Sequence, residues 1–423
     1  MRTQLLLALA ALSVLGCGDD PATDTDASPM MMPDASDAST TPDAEPVDCS
    51  GRSAESIETR GEHQGVYDAA RGRIVIYGGN TLAPQMCRPR YNLVDELWAY
   101  QLDCNNWERI ETTGPSPGVR ARQGMTIDTS RNRALLFGGR ERVGFGEYRN
   151  FNDVWALDLT TDTWEELVTS GDAPTPKSTP VVGYDEANDR LFVFGGNTST
   201  GGLTLAGTNE FHSLDLSTGV WTRIEASGAP SPRLWHGGTM VGGALFIFGG
   251  TPDYDGPFLN DTFAYFTETG SWETIHDGSG TAPAIRFGAE VFADSSSGRL
   301  ILFGGHDNFS LGNSNDVWSL DLVTRSWTNL RPGDTLNGEA LGICEFPADF
   351  TIPEEGSPER RYGFAHVTDE EGALIIGGKT DCGNTNDVWR LRFEDASWES
   401  LRPTTEGEAC NRSGRTTCTE LCF

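Results

Sequence analysis

Six basic residues sit at one recurring place in this 423-residue chain. Arg60, Arg120, Lys177 and Arg286 each precede the first glycine of a Gly-Gly pair by 18 residues, and Arg233 and Arg361 precede theirs by 16. A guanidinium is a planar fork that can give one carboxylate two parallel hydrogen bonds. Brought onto one circle in an otherwise acidic protein, such groups would focus a positive potential and suit a carboxylate-bearing ligand. Trp235, Phe287 and Tyr362 follow the cation of their unit by one or two residues, where amphipathic rings could stack sugar or peptide. The structural alternative is that the cations bond internal acids and carbonyls while the rings pack loops together.

Little else in the chain has the grammar of catalysis. The six histidines, at 63, 212, 236, 276, 306 and 366, form no His-Glu-x-x-His motif and no i, i+4 pair. Asp253 to Gly256 has the first half of a calcium loop without its closing glutamate. No Ser/His/Asp order is supported by its context. His63 and His236, each three residues after a cation of the set, are where general acid–base chemistry would be sought. No metal and no organic cofactor is expected.

The chain holds 62 acidic residues against 31 lysines and arginines, a formal net charge of −31. Nonspecific binding to nucleic acid or to anionic lipid headgroups is thereby disfavoured. Met1-Arg2 precedes an apolar run from Leu5 to Leu15, too short to span a bilayer, which leads into Gly16-Cys17. This start resembles a bacterial lipoprotein signal. The resemblance implies cleavage before Cys17, lipidation of that residue and, with Gly18 rather than an acid next, an outer-membrane address. Residues 18–48 hold nine acids and no lysine or arginine, and read as a disordered, self-repelling tether. Nine cysteines fit an oxidising compartment: Cys17 takes lipid, and eight remain with no Cys-x-x-Cys pair among them.

The cations are placed by a repeat. RIVIYGG (73–79), RALLFGG (133–139), RLFVFGG (190–196), ALFIFGG (244–250), RLILFGG (299–305) and ALIIGG (373–378) are apolar runs ending in Gly-Gly. A tryptophan follows each by 20 to 28 residues, at 107, 164, 221, 272, 327 and 398. Ahead of each run comes a strand a of small residues, such as RQGMTID (122–128) or RFGAEVFAD (286–294). The run itself is strand b. Strand c carries an aromatic, as in DVWALDL (153–159) or DVWSLDL (316–322), and a tight Asp- and Thr-rich turn leads to strand d at the tryptophan. Runs without strict alternation are expected of strands buried on both faces. Paired glycines suit a strand end pressed against neighbouring backbone.

The Gly-Gly pair, the strand c aromatic and the Asp-Leu-x-Thr-x-x-Trp turn together resemble kelch repeats. The resemblance implies an all-β fold, a six-bladed kelch-type β-propeller with four antiparallel strands per blade, strand a lining a central channel and strand d outermost. The organisation is then a signal peptide at 1–16, the tether with lipidated Cys17 at 17–48, the propeller at 49–403 and a cysteine-rich tail at 404–423. The b–c and d–a loops share one face, here the loop face, and the six cations would ring the channel mouth there. Kelch adaptors of animal cells are similar in using arginines at this place to hold acidic peptides, and kelch repeats also carry a basic residue there for structure. Blade register pairs Cys49 with Cys87 and Cys344 with Cys382. Cys104 is left to join the tail, so that it and Cys410, Cys418 and Cys422 make two further bonds. The expected protein is a monomeric, envelope-anchored, non-catalytic binding module for an acidic glycan or peptide. A sugar-acting enzyme similar to sialate-isomerising kelch propellers and a purely structural envelope protein are the alternatives.

Overall fold

A computed structural model describes residues 49, 55–82, 91–202, 204–307, 312–336, 351–352, 354–380 and 383–404. The chain divides into Met1–Gly51 and Arg52–Phe423, and the fold below is that of the second unit. Its strands come in six consecutive groups, each hydrogen-bonded in the order a, b, c, d. Blade one is Gln64–Asp68, Arg73–Tyr77, Leu97–Gln101 and Asn106–Ile110. Strands a of the next five are Gly124–Asp128, Val181–Asp185, Gly237–Val241, Phe287–Asp294 and Ala365–Thr368. These inner strands pack side by side round an axis, and that of blade six meets that of blade one. The result is the expected six-bladed β-propeller with four antiparallel strands per blade.

The sequence grammar has a packing reason at each word. Strand b is buried along its length, as in Arg73–Tyr77, because a blade lies on either side of it. The aromatic that ends it reaches the strand d tryptophan of the following blade. Tyr77 meets Trp164 at 5.1 Å, Phe137 meets Trp221 at 5.7 Å, Phe194 meets Trp272 at 4.9 Å, Phe248 meets Trp327 at 5.7 Å and Phe303 meets Trp398 at 4.8 Å. In the sixth unit Ile376 takes that place and packs with Trp107 of blade one. Edge and tilted aromatic pairs of this kind add about 0.5–1.5 kcal/mol each beyond their area burial.

The Gly-Gly pairs are the seam between blades. Both glycines have positive φ in all six, from 58° to 75° at the first and from 93° to 111° at the second. A Cβ on Gly78 would lie 2.4 Å from the Arg120 carbonyl oxygen, and one on Gly377 would lie 2.9 Å from that of Arg60. The second glycine then donates its N–H to that same carbonyl, from Gly79 to Arg120 at 3.0 Å and from Gly378 to Arg60 at 2.9 Å. At the c–d turn, Asp158 Oδ1 accepts from the N–H groups of Thr160 and Thr161, at 2.7 and 3.0 Å, which fixes the Asp-Leu-x-Thr geometry.

The ring closes without exchange of a strand. Asn384 Nδ2 donates to the Asn80 carbonyl (2.9 Å), Asn386 Nδ2 to that of Ile57 (2.7 Å) and Arg402 Nη1 to that of Asn105 (2.9 Å). Two long loops carry structure of their own. The b–c loop of blade two is a hairpin, Arg140–Gly144 against Glu147–Asn150. The insertion before blade six pairs Thr335–Leu336 with Thr351–Ile352. Cys49 and Cys104 are each disulfide-bonded. Cys17, Cys87, Cys344, Cys382, Cys410, Cys418 and Cys422 lie outside the described residues.

Candidate functional site

The six cations do gather at the loop-face end of strand a, but their charged ends lie inside the blades. Arg60 pairs with Glu96 (2.7 Å), Arg120 with Asp153 (2.9 Å), Lys177 with Glu210 (2.6 Å), Arg233 with Asp261 (2.7 Å), Arg286 with Asp316 (2.5 Å) and Arg361 with Asp387 (2.6 Å). Each acid stands at the start of its blade's strand c. The five arginines also donate to the first glycine carbonyl of their own blade, as Arg361 does to Gly377 at 2.9 Å. In four blades the strand c tryptophan donates to the same acid, as Trp389 does to Asp387 at 2.8 Å. Burial opposes ionisation of Glu210, yet Lys177 and Thr175 hold its carboxyl at about 2. All six cations are therefore structural clamps between strands a, b and c, and none is offered to a ligand.

Two residues further on, the chain turns into the channel. Glu62, Arg122, Thr179, Trp235, Gly288 and Gly363 occupy this place in the six blades, all with φ between 54° and 65°. Their backbones join blade to blade: Glu62 N–H donates to Gly363 O (2.6 Å), Arg122 to Glu62 (2.8 Å), Thr179 to Arg122 (2.7 Å) and Gly288 to Trp235 (2.7 Å). The left-handed turn throws the side chain at the axis. Glu62 Oε1 bridges Arg122 (2.5 Å) and Lys379, and the Arg122 guanidinium lies 4.5 Å from the Trp235 ring. Burial alone would raise the Glu62 pKa, but these two cations hold the carboxyl far below the usual carboxylate range.

Above this collar, on the loop face, is a pocket of about 80 Å³ walled by Tyr91, Trp235, Tyr254, Phe258, Phe287 and Tyr362, with Arg122 and Arg140 at its base. Trp235, Phe287 and Tyr362 form one cluster, with centroids 5.5 to 5.8 Å apart. Arg140 follows the Gly-Gly pair of blade two, and the hairpin it begins brings Tyr148 back over its guanidinium at 3.9 Å. It is 3% exposed, its Nε has no hydrogen-bond partner, and no carboxylate pairs with it among the described residues. Burial, with Arg122 beside it, pushes its pKa down to about 10. The same place in the other blades holds residues whose side chains each have a polar partner: the Asn80 and Asn197 amide oxygens accept from their own loops, Thr251 donates to the Asp253 carbonyl, His306 Nδ1 meets Asn313 Oδ1 and Lys379 pairs with Glu62.

Below the collar is a second cavity of about 90 Å³. Glu290 and His366, on the inner strands of blades five and six, lie side by side on its wall with Oε2 and Nδ1 3.5 Å apart. Burial raises the Glu290 pKa well above the usual carboxylate value and pushes His366 down to about 4.

Known proteins agree with this geometry. A family profile described as the KLHDC2/KLHL20/DRC7 Kelch-repeats domain matches residues 39–250, 146–343 and 236–421, nearly the whole chain. The chain belongs to the kelch-repeat family. It is 28% identical over 312 residues to acyl-CoA-binding domain-containing protein 5 of Arabidopsis thaliana, covering 73% of this chain and 42% of that protein. It is 31% identical over 251 residues to Kelch domain-containing protein 10 of Rattus norvegicus, covering 57% of each, and 30% identical to the Homo sapiens protein of that name. The chain thus spans about half the length of the curated relatives it matches.

The kelch ring corrects one expectation and refines others. Arg60, Arg120, Lys177, Arg233, Arg286 and Arg361 do not form an anion site, because each already has an acid of its own blade. The signal was present, since every strand c begins at an acid: Glu96, Asp153, Glu210, Asp261, Asp316 and Asp387. Trp235, Phe287 and Tyr362 do converge on the channel mouth. Arg122 and Arg140 were missed. The first is marked by the register it shares with Gly288 and Gly363, the second by its place after Gly-Gly. His236 lines the inner cavity and His63 is fully buried away from it. Burial pushes both down to about 3, so each is neutral at physiological pH.

Proposed function

We propose that this kelch propeller is a lipid-anchored, non-catalytic binding module that takes a carboxylate-bearing ligand, an acidic peptide or glycan, in the loop-face pocket. Kelch propellers are usually interaction modules, and the pocket gives this one its chemistry. The observation that carries the reading is Arg140, a buried guanidinium lining the pocket with no carboxylate partner among the described residues. Arg122, Lys379 and Arg140 share the single Glu62 carboxylate, and an incoming carboxylate supplies the charge that this buried group lacks. Arg122 beside it adds charge, and the aromatic wall gives a flat apolar body something to lie against. Anchoring rests on the Val14 to Cys17 signal and the acidic tether behind it.

The test is an array of acidic peptides and of uronic and sialic acid glycans, probed with the full mature chain at low and high salt. Binding should weaken as salt rises. Arg140→Met should weaken it by more than tenfold, about 1.4 kcal/mol, without lowering the unfolding midpoint. Binding that survives Arg140→Met unchanged overturns the site. For the anchor, Cys17→Ser should move the protein from the detergent phase to the aqueous phase. A variant that stays with the detergent overturns the lipid assignment.

A further inference from the structure

The inner cavity shares Arg122 and Trp235 with the mouth and adds the Glu290 carboxyl. Three of the residues that line it, beside Arg122, carry acceptor oxygens. Glu62 gives Oε1 to Arg122 and Lys379, but its Oε2 has no partner. Gln123 uses its amide N–H on the Tyr77 carbonyl at 2.8 Å, and its Oε1 has no partner. Glu62 and Gln123 are 3% and 1% exposed. Glu290 meets only the His366 imidazole at 3.5 Å, and no lysine or arginine pairs with it among the described residues. Water could satisfy the oxygens, but it brings no positive charge to a carboxyl that burial penalises when ionised.

We propose that this cavity is a second ligand site, which holds the ammonium head of a small primary alkylamine on the Glu290 carboxylate. An ammonium is a compact point charge with three N–H donors, and Glu290 offers it a carboxylate that no lysine or arginine pairs with among the described residues. The cavity's 90 Å³ admits a head of this size. Beneath it, on the turn side of the channel, a wider vestibule of about 450 Å³ is lined by Met125, Ile127, Val182, Met240 and Val291, and it shares His366 with the cavity. The alkyl chain lies there. Proton balance is simple: an amine arriving neutral takes the Glu290 proton, and an ammonium arriving charged displaces that proton to solvent. Either route leaves one ammonium–carboxylate pair.

The probe is n-butylammonium chloride, titrated calorimetrically into the full mature chain with its disulfides intact. It should bind once per chain, with n-butanol and tetramethylammonium at least tenfold weaker. Glu290→Gln should cost at least tenfold in butylammonium affinity while the thermal midpoint holds, since an amide of the same shape replaces a half-buried acid. Met240→Trp, which narrows the vestibule without touching the carboxylate, should cost affinity as well and serves if Glu290→Gln folds poorly. Wild-type affinity in both variants, butanol binding as tightly as the amine, or no saturable heat overturns the proposal. Because the readout is made on the turn side, its failure leaves the loop-face reading where it stood.

Discussion

Replacing Arg361 by methionine tests whether the ring cations are clamps or ligand groups. In the native blade its guanidinium donates twice to Asp387, at 2.6 and 2.8 Å, once to the Gly377 carbonyl at 2.9 Å and once to that of Glu359 at 2.9 Å. The arginine side chain is 0% exposed and the aspartate 9%. Methionine keeps much of the stem volume and leaves a buried carboxylate with only the Trp389 indole N–H as donor. Breaking one side of such a pair costs about 3–5 kcal/mol, about a fifth or more of a typical total stability of about 5–15 kcal/mol. With a urea m-value of about 3 kcal/mol/M, the midpoint should fall by about 1 M or more. Asp387→Asn removes the stranded charge, so the double variant should lose less than the sum of the singles by more than about 1 kcal/mol. Urea unfolding followed by tryptophan fluorescence, on all four proteins of the cycle, gives both numbers. A loss below about 1 kcal/mol in Arg361→Met, or strict additivity in the cycle, refutes the clamp.

Three further outcomes follow from the same structure. Arg140→Met should leave the urea midpoint unchanged or raise it, in contrast to Arg361→Met, because it removes a buried charge that has no carboxylate partner among the described residues; a fall like that of Arg361→Met would mean that Arg140 is structural. Burial holds the pKa of His63 and His236 at about 3 and that of His366 at about 4, so below pH 6.5 the unfolded chain takes up protons that the native one refuses. Stability is then complete above that pH and falls on acidification towards pH 4, by on the order of 1 kcal/mol per pH unit per histidine; Glu290, whose pKa is raised, opposes this with the other sign, and a melting temperature flat from pH 7 to 4.5 would contradict the balance. Non-reducing peptide maps should join Cys49 to Cys87, Cys344 to Cys382 and Cys104 to the tail, and a Cys49–tail peptide would overturn that assignment.

Much of the fold could be read from the chain. The Gly-Gly pairs, the aromatics before them and the Asp-Leu-x-Thr turns each meet a local requirement, so six units of four strands could be read from the residues, and the resemblance to kelch repeats made them blades of one propeller. Even the seam between blades was foreshadowed, since adjacent glycines ask for a close backbone, which the Arg120 and Arg60 carbonyls supply. The site was legible only in part. Trp235, Phe287 and Tyr362 were picked out by their nearness to the cations, and they do wall the mouth. The cations themselves misled, because a charge in a sequence carries no sign of where its partner lies. Arg60 and Glu96 are 36 residues apart, and Arg361 and Asp387 are 26 apart.

By itself, then, the sequence determined the repeat, the strands and the conformation of each turn, because these are set by neighbours a few residues away and by short apolar runs bounded by glycine and turn residues. Only the tertiary structure decided which charges are neutralised. Strands a and c of one blade lie on either side of strand b, and that arrangement brings every ring cation to an acid and removes it from the channel. The same closure brings Glu62 of blade one, Arg122 of blade two and Lys379 of blade six to one point, and leaves Arg140 above them under the Tyr148 ring, with no ion pair of its own among the described residues. Burial then sets the chemistry, since a charge deep in the ring must find a counter-charge from another blade or from a ligand.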